Sequence, residues 1–345
     1  MSAPVEPSNR VSECMLHVFL VTYNREATFR RTLEAIAASS LKDYPLTVMD
    51  NCSTDGTSRV CEEFVPRLPR MEVRRHPSNI GFGANFLRSL ELSHGEYTWV
   101  LCDDDTLFSD RVGALLDLLR DSRPEACFVG GPRQEEWPCG LNVLPSDLQR
   151  RFRTFLTAQS FVPAVVFKSS LIGSRELIEG YFGIRTNFPQ MLIGRKLLTQ
   201  NIPCAVLQPP VLRREDPVEK GTAYLNVVDG WSEFCRSLPP ALRKDAFYSL
   251  FVRPQLFGMV RELLRMIVWA KIDGGSAPSY HLVRIGLNMG FPVRGALLIC
   301  RLACLIPRGG YHLARETYRT VKYNWLGRPL PPNYHAPVAQ DELRR

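Results

Sequence analysis

The chain has 345 residues, of which 45% are hydrophobic and 23% charged, a composition typical of a soluble globular protein with a full core. This length predicts about two domains, or one α/β domain with an appendage. The ten cysteines form no CxxC pair, which argues against a disulfide framework or a zinc site and favours a reducing cytosol. The sequence also predicts no signal peptide and, without a run of 18 apolar residues, no transmembrane helix.

The net charge of +8 is distributed unevenly along the chain. Residues 241–345 contain 16 Lys/Arg against 6 Asp/Glu, whereas residues 1–240 are slightly acidic. A basic end indicates a polyanionic neighbour such as anionic lipid, a diphosphate-bearing acceptor or nucleic acid, or else a solvated basic face. No helix-turn-helix, RNP or zinc pattern accompanies the charge, which argues against nucleic acid.

The first 110 residues alternate short apolar strands with helices. We predict strands at 16–23, 46–50, 71–75 and 97–102, with helices at 27–39, 57–65 and 84–93 between them. This order is typical of an open parallel α/β sheet, in which ligands bind outside the carboxyl ends of the strands. Polar clusters stand at those ends: Tyr23–Asn24, Asp50–Asn51 and Asp103–Asp105.

The pattern is looser in the second part of the chain. The elements predicted there are helices at 111–120, 174–179 and 187–200, strands at 126–130, 161–167 and 205–208, and a Pro/Gly-rich loop at 131–147. We therefore divide the chain into an α/β domain at 1–230, a basic helical region at 231–330 and a tail at 331–345. The α/β domain has a first half at about 14–110 and a second half at about 111–230.

Three consecutive aspartates, Asp103, Asp104 and Asp105, end the fourth predicted strand. Carboxylates this close repel one another, and a hard divalent ion with oxygen ligands would offset that cost. Mg²⁺ or Mn²⁺ bound there would also take oxygens from a substrate diphosphate and neutralise charge on a leaving nucleoside diphosphate. The alternative is a solvated cluster that caps the helix beginning at Arg111.

Two more aspartates flank a Ser/Thr turn after the second predicted strand. Asp50 lies at the strand end beside Tyr23, where a carboxylate can accept hydrogen bonds from a nucleobase or ribose. Asp55, within Asp-Gly-Thr, is more typical of a turn and helix N-cap. Further along, Gly81 and Gly83 form only half of a glycine fingerprint and are weak support for a dinucleotide fold.

Four segments, taken in order, resemble motifs of glycosyltransferase family 2, as found in bacterial O-antigen and polysaccharide sugar transferases. They are FLVTYNR (Phe19–Arg25), VMDNCSTDGT (Val48–Thr57), HPSNIGFGANFLRSLELSHGEY (His76–Tyr97) and WVLCDDDTL (Trp99–Leu107), the last resembling a metal-binding D-x-D motif. The resemblance covers roughly residues 16–110. It implies a GT-A fold, a Rossmann-like and mostly parallel sheet flanked by helices, with a nucleotide-sugar half followed by an acceptor half.

The resemblance also implies roles for individual positions. The set expected to bind the nucleotide sugar is Thr22, Tyr23, Arg25, Asp50, Asn51, Asp55, Asn79, Gly81, Asp103 and Asp104. Within this set Asp50 would bind the base, and Asp55 would orient its loop. The metal ligands, for Mg²⁺ or Mn²⁺, would come from Asp103, Asp104 and Asp105, because the triple aspartate fits D-x-D in more than one register.

The sequence departs from the family where the catalytic base is expected. Many members carry a Glu-Asp pair that opens a helix in the acceptor half, but the corresponding stretch here, 186–190, has no carboxylate. Glu215 and Asp216 are the candidates for taking the proton of the acceptor hydroxyl. Alternatively they form a solvated loop with Arg213 and Arg214, and one of these arginines contacts the diphosphate. Inverting and retaining outcomes both stay open.

The C-terminal region mixes apolar runs with regularly spaced arginines and aromatic residues, a pattern of helices that lie in a membrane interface. We therefore expect a cytoplasmic protein that associates with the inner face of the membrane. A packed helical subdomain or a homo-oligomer contact is the alternative.

The predicted function is metal-dependent transfer of a sugar from a nucleoside-diphosphate sugar to a saccharide or polyprenyl-diphosphate-linked acceptor. Two rival functions are a nucleotidyltransferase and a degenerate fold that serves as a membrane-peripheral scaffold. A nucleotidyltransferase usually has a glycine- and Lys/Arg-rich loop after its first strand, where this chain has Thr22–Arg25.

Overall fold

The computed structural model describes residues 14–131, 134–152, 155, 158, 161–184, 189–213, 215, 234–235, 237–247, 264, 298–300, 302–303 and 305–319. The tail predicted at 331–345 and most of the helical region predicted at 231–330 lie outside the described residues.

An eight-stranded sheet forms the centre of the molecule. Its strands are β1 (Cys14–Thr22), β2 (Leu46–Asp50), β3 (Met71–Arg75), β4 (Gly95–Cys102), β6 (Ala126–Phe128), β7 (Gly140–Val143), β8 (Val165–Lys168) and β9 (Cys204–Val206). They lie in the order β3-β2-β1-β4-β8-β6-β9-β7. The β1–β2, β1–β4, β2–β3 and β6–β9 pairs are parallel, which confirms the predicted mostly parallel α/β sheet. β8 and β7 run antiparallel to their neighbours.

Helices cover both faces of the sheet. They are α1 (Glu26–Ala37), α2 (Thr57–Phe64), α3 (Phe82–Leu92), α4 (Val112–Ser122), α5 (Pro145–Phe152), α6 (Ser174–Phe182), α7 (Met191–Thr199), α8 (Pro240–Phe247) and α9 (Arg308–Arg319). One core layer joins the sheet to α1, α2 and α4, and the other joins it to α3, α5 and α7. Alternate residues of β1 enter the two layers, which explains why this strand is apolar along its length.

Several predictions for the second half are wrong in detail. The loop predicted at 131–147 contains β7 and the start of α5, because this edge strand uses turn-forming residues, with positive φ at Gly140 and Asn142. The strand predicted at 161–167 begins only at Val165, after Pro163 in a 3-10 turn. The helix predicted from residue 187 begins at Met191, after a second proline.

A small second sheet was not predicted from the sequence. β5 (Thr106–Leu107) pairs antiparallel with β10 (Leu212–Arg213). Strands of two residues are too short to show a periodic pattern in the sequence. Their pairing joins segments that are about a hundred residues apart in the chain. It brings the chain around residue 215 next to the aspartates that follow β4.

His17 of β1 is a titratable residue whose side chain is buried. It is 2% exposed, its Nε2 lies 2.9 Å from Thr47 Oγ1, and its ring contacts the rings of Phe19 and His94. Burial, with the nearby charges of His94 and Arg74, lowers the pKa of His17 to about 3. The folded protein therefore keeps this imidazole neutral at pH values where the unfolded chain protonates it.

We expect His17→Gln to flatten the pH dependence of stability. Between the unfolded pKa of about 6.5 and the folded value, only the unfolded wild-type chain binds a proton at this site, so stability falls as the pH falls. The contribution is about 1 kcal/mol between about pH 7.5 and 5.5. Urea unfolding at both pH values tests this, with the exposed His312→Gln as matched control. Equal pH dependence in wild type and His17→Gln would contradict the prediction.

Candidate functional site

Three parallel strands end together at one edge of the sheet. Thr22, the last residue of β1, is in register with Asp50 at the end of β2, and Val21 is in register with Cys102 at the end of β4. The loops that follow these strands therefore meet at the carboxyl edge, as the sequence predicted.

A cavity of about 310 Å³ opens at this edge. The residues that line it are Val21, Thr22, Tyr23, Arg25, Asn51, Asn79, Gly81, Phe82, Asn85, Cys102, Asp103 and Asp104. Eight of the predicted nucleotide-sugar residues are in this lining, but Asp50 and Asp55 are not. The fold thus brings eight of the ten predicted residues to one cavity. Asp50 and Asp55 lie outside its lining, and their surroundings are described below.

Asp103 lies at the buried side of the cavity, only 5% exposed. The Thr22 hydroxyl donates a hydrogen bond of 2.6 Å to Asp103 Oδ2, and the Thr32 hydroxyl donates one to the Asp103 carbonyl. Burial raises the pKa of Asp103 to about 7; the charge of Asp104 adds to this rise, whereas the Thr22 hydrogen bond and Arg25 oppose it.

Asp104 and Asp105 are more open to solvent than Asp103. Arg25 donates a 2.6 Å hydrogen bond from Nη1 to Asp104 Oδ2, and the Glu215 amide donates to Asp105 Oδ1 at 3.4 Å. Ligand atoms of Cys102, Asp104 and Asp105 lie within 4.8 Å of one another, close enough to share one metal ion. Burial raises the pKa of the Cys102 thiol well above its usual value, so the two carboxylates are the better ligands for a hard cation.

Asp50 is buried and its carboxylate is already occupied by partners from the chain. It accepts a hydrogen bond from the Ser53 amide at 2.9 Å and forms a 3.1 Å ion pair with Arg75 Nη1. Arg75 also donates to Ser58 Oγ and to the Ser53 carbonyl. Asp50 and Arg75 thereby fix the turn behind the cavity. Arg75 was not predicted, since it lies 25 residues away on another strand.

Asp55 closes the turn before α2, as the turn interpretation predicted, but the N-cap residue of this helix is Gly56 and not Asp55. Its Oδ1 accepts hydrogen bonds from the amide and hydroxyl of Thr57, and its Oδ2 accepts one from the Glu26 amide at the start of α1. Asn24, at φ 52°, accepts a hydrogen bond from the Thr54 amide through Oδ1. These contacts fasten the loop after β1 to the loop after β2.

An amide network forms the cavity wall next to α3. Asn51 donates through Nδ2 to Asn79 Oδ1 and accepts from the Ile80 amide. The Gly81 amide also donates to Asn79 Oδ1, and Gly81 has φ 80°, a conformation that favours glycine. Asn85, whose Nδ2 donates to the Met49 carbonyl, lines the same wall. Asn85 lies within the segment His76–Tyr97 that resembles a family motif, so the sequence did carry a signal for it.

Of the two candidate bases, the structure describes Glu215 but not Asp216. Asp216 and Arg214 lie outside the described residues. Glu215 accepts hydrogen bonds from the Thr106 hydroxyl and from Arg213, and these contacts lower the pKa of Glu215 below its usual value.

No helix within the described residues is long and apolar enough to cross a membrane.

An open α/β sheet with carboxylates and amides around a cavity at its strand ends is the architecture of a nucleotide-binding protein. Residues 17–182 match the family model described as glycosyl transferase family 2.

Curated relatives resemble parts of the chain. Abequosyltransferase RfbV of Salmonella typhimurium is 32% identical over 107 residues, which is 30% of this chain and 32% of RfbV. A Campylobacter jejuni protein named GalNAc(5)-diNAcBac-PP-undecaprenol beta-1,3-glucosyltransferase is 27% identical over 176 residues, 49% of this chain and 56% of that protein. The chain thus spans from about a third to just over half the length of these two relatives.

Solved structures match over most of the chain. S. aureus TarS 1–349 aligns with a TM-score of 0.58 at 16% identity, and the alignment covers 89% of this chain and 91% of that 1–349 chain. The same protein in complex with UDP-GlcNAc aligns with a TM-score of 0.57 over 89% and 92% of the two chains, also at 16% identity. At this identity the likeness establishes the fold, which is the GT-A fold expected from the sequence.

We expect Arg75→Met to destabilise the protein by about 2 kcal/mol, because it leaves the buried Asp50 carboxylate without its cation. Arg74→Met is the matched control, because Arg74 directly precedes Arg75 on β3 and pairs with Glu72 at the surface. A surface ion pair of this kind stabilises a protein by less than about 1 kcal/mol. Urea unfolding of both variants measures the difference. Equal losses of unfolding free energy in the two variants would show that the Asp50–Arg75 ion pair stabilises the protein no more than the surface pair of Arg74 and Glu72 does.

Proposed function

We propose that the protein is a metal-dependent glycosyltransferase that uses a nucleoside-diphosphate sugar as donor. The observation that carries the proposal is the cavity at the carboxyl edge, with Asp103, Asp104 and Arg25 in its wall and Asp105 beside it. The match of residues 17–182 to the model of glycosyl transferase family 2 supports the same reaction class.

The donor set fits a hard divalent cation, Mg²⁺ or Mn²⁺. Asp104 and Asp105 supply carboxylate oxygens within reach of one ion, and the remaining ligands would come from water and the donor diphosphate. A bound cation would neutralise the charge that develops on the leaving nucleoside diphosphate. Asp103 is bound to Thr22 and buried, so we assign it to the nucleoside side of the site rather than to the metal.

Among the residues that the structure describes, Arg25 is the cation that pairs with the carboxylates in the cavity wall. It pairs with Asp104, its Nε lies 3.9 Å from Asp103 Oδ1, and its side chain is 47% exposed. In the donor complex it would face the diphosphate, where its charge adds to that of the metal. Tyr23, 42% exposed on the cavity wall, offers a ring surface for a nucleobase.

Asp105→Asn is expected to weaken the metal-dependent part of nucleotide binding. In a thermal-shift panel of UDP, GDP, CDP and dTDP with and without Mn²⁺, one nucleotide should stabilise the wild type and need the metal. Loss of one ligand should weaken the metal-dependent binding at least about tenfold. The exposed Asp110→Asn, five residues away, removes one carboxylate charge outside the cluster and should behave as wild type.

Two results of that panel would overturn the proposal. If no nucleoside diphosphate stabilises the folded wild type, the scaffold alternative is favoured. If the four corresponding nucleoside triphosphates are added to the panel and only a triphosphate stabilises the protein, the nucleotidyltransferase alternative is favoured instead.

We propose further that Glu215 anchors the metal-binding aspartate instead of acting as the base. Its carboxylate is engaged by Thr106 and Arg213, its pKa is lowered, and its amide contacts Asp105. A carboxylate with a lowered pKa is a weaker proton acceptor. This leaves Asp216 as the predicted base, with the stereochemical outcome open.

Glu215→Gln separates the two roles. As an anchor, the amide keeps a hydrogen-bond acceptor for Thr106, and turnover of the donor should fall less than about tenfold while the Mn²⁺ requirement rises. As a base, the variant should lose about a hundredfold or more of the transfer rate with unchanged Mn²⁺ requirement. Arg213→Gln, which removes the other partner of Glu215, should reproduce the anchoring effect only. Release of nucleoside diphosphate measured against Mn²⁺ concentration reads out both quantities.

The acceptor we propose is a saccharide or a polyprenyl-diphosphate-linked oligosaccharide of a bacterial surface polysaccharide. The support is the curated relative whose name contains an undecaprenol diphosphate carrier, together with the basic C-terminal region. An enzyme with such an acceptor would work in the cytoplasm at the inner face of the membrane.

A further inference from the structure

Residues 298–313 present an unusually apolar surface to solvent. Six large apolar side chains in this short segment are between 42% and 74% exposed: Leu298, Ile299, Leu302, Leu305, Ile306 and Leu313. We call these six residues the C-terminal apolar face. Large apolar side chains that are exposed this close together in a folded protein indicate an interaction site.

The other side of the same segment is packed against the protein. Cys300 is 1% exposed and Tyr311 is 8% exposed, and both belong to the core layer that contains α3 and α7. The Tyr311 hydroxyl donates a 2.7 Å hydrogen bond to the Ala303 carbonyl. The segment is therefore packed against the core through Cys300 and Tyr311, while the six residues of the C-terminal apolar face remain exposed.

The sequence charge of this segment favours one of two occupants. Residues 298–319 include four arginines, at positions 301, 308, 315 and 319, against one acidic residue, Glu316. Two copies of the chain that joined through this face would bring like charges together. An anionic lipid surface would instead attract the arginines and bury the leucines at the boundary between headgroups and acyl chains.

We propose that the C-terminal apolar face docks the protein onto an anionic lipid bilayer. The leucine and isoleucine side chains enter the interfacial layer, as the apolar side of an interfacial helix does. This surface is separate from the cavity at the strand ends. The proposal is therefore independent of the sugar-transfer reaction, although a lipid-linked acceptor would lie in the same surface.

Co-sedimentation of the full chain with lipid vesicles tests the proposal. The vesicles contain phosphatidylcholine alone or with about a quarter phosphatidylglycerol, and salt is varied around the physiological range. The test variant is Leu305→Gln with Leu313→Gln, two side chains that are 74% and 71% exposed. The matched control is Ile178→Gln with Phe182→Gln on α6, where the exposures are 56% and 85%.

We expect wild type and control to bind the anionic vesicles, with affinity that falls as salt rises. The test variant should bind at least about tenfold more weakly, since it removes apolar area from the interface. Because all four residues are exposed, each variant should keep the wild-type melting temperature and nucleotide-induced thermal shift. Those shifts also separate a failure of docking from a failure of the proposed donor site.

Three results would overturn the proposal. The first is a wild-type protein that does not bind anionic vesicles. The second is an equal loss of vesicle binding in the test variant and in the control variant. The third is a concentration-dependent dimer in light scattering that Leu305→Gln with Leu313→Gln abolishes, since that result would assign the face to a second copy of the chain.

Discussion

β1 is paired in parallel with β2 on one side and with β4 on the other, and the candidate site depends on where these three strands end. The register brings Thr22 beside Asp103, so that a strand-end hydroxyl donates to a strand-end carboxylate. Loops after β1 and β2 are then tied together through Asn24 and Asp55. A shift of either pairing would separate groups that come from distant parts of the chain.

The three consecutive aspartates acquire different environments from this arrangement. Asp103 points into the protein, where burial raises its pKa to about 7, while Asp104 and Asp105 stay accessible. Identical side chains thus become suited to different tasks, one to a buried hydrogen-bonded position and two to binding a cation. Arg25 lies between the two environments and reduces the repulsion among them.

The sequence predicted the first half of the fold well because its elements are local and regular. β2 and β3 have the predicted bounds, and polar clusters after strands identified the cavity edge. Contacts between distant residues could not be predicted in the same way. The partner of Asp50 is Arg75, and Glu215 reaches Asp105 through a pairing of two-residue strands, neither of which leaves a periodic pattern. β7 was missed because its residues are those of turns.

The most direct test of the account is an anomalous diffraction measurement on crystals grown with MnCl₂ and the nucleoside diphosphate that stabilises the protein. The account predicts a manganese peak coordinated by Asp105 or Asp104, with the nucleotide in the cavity beside Thr22 and Asn51. Nucleotide bound at any other surface, or manganese that contacts none of the aspartates after β4, would contradict it.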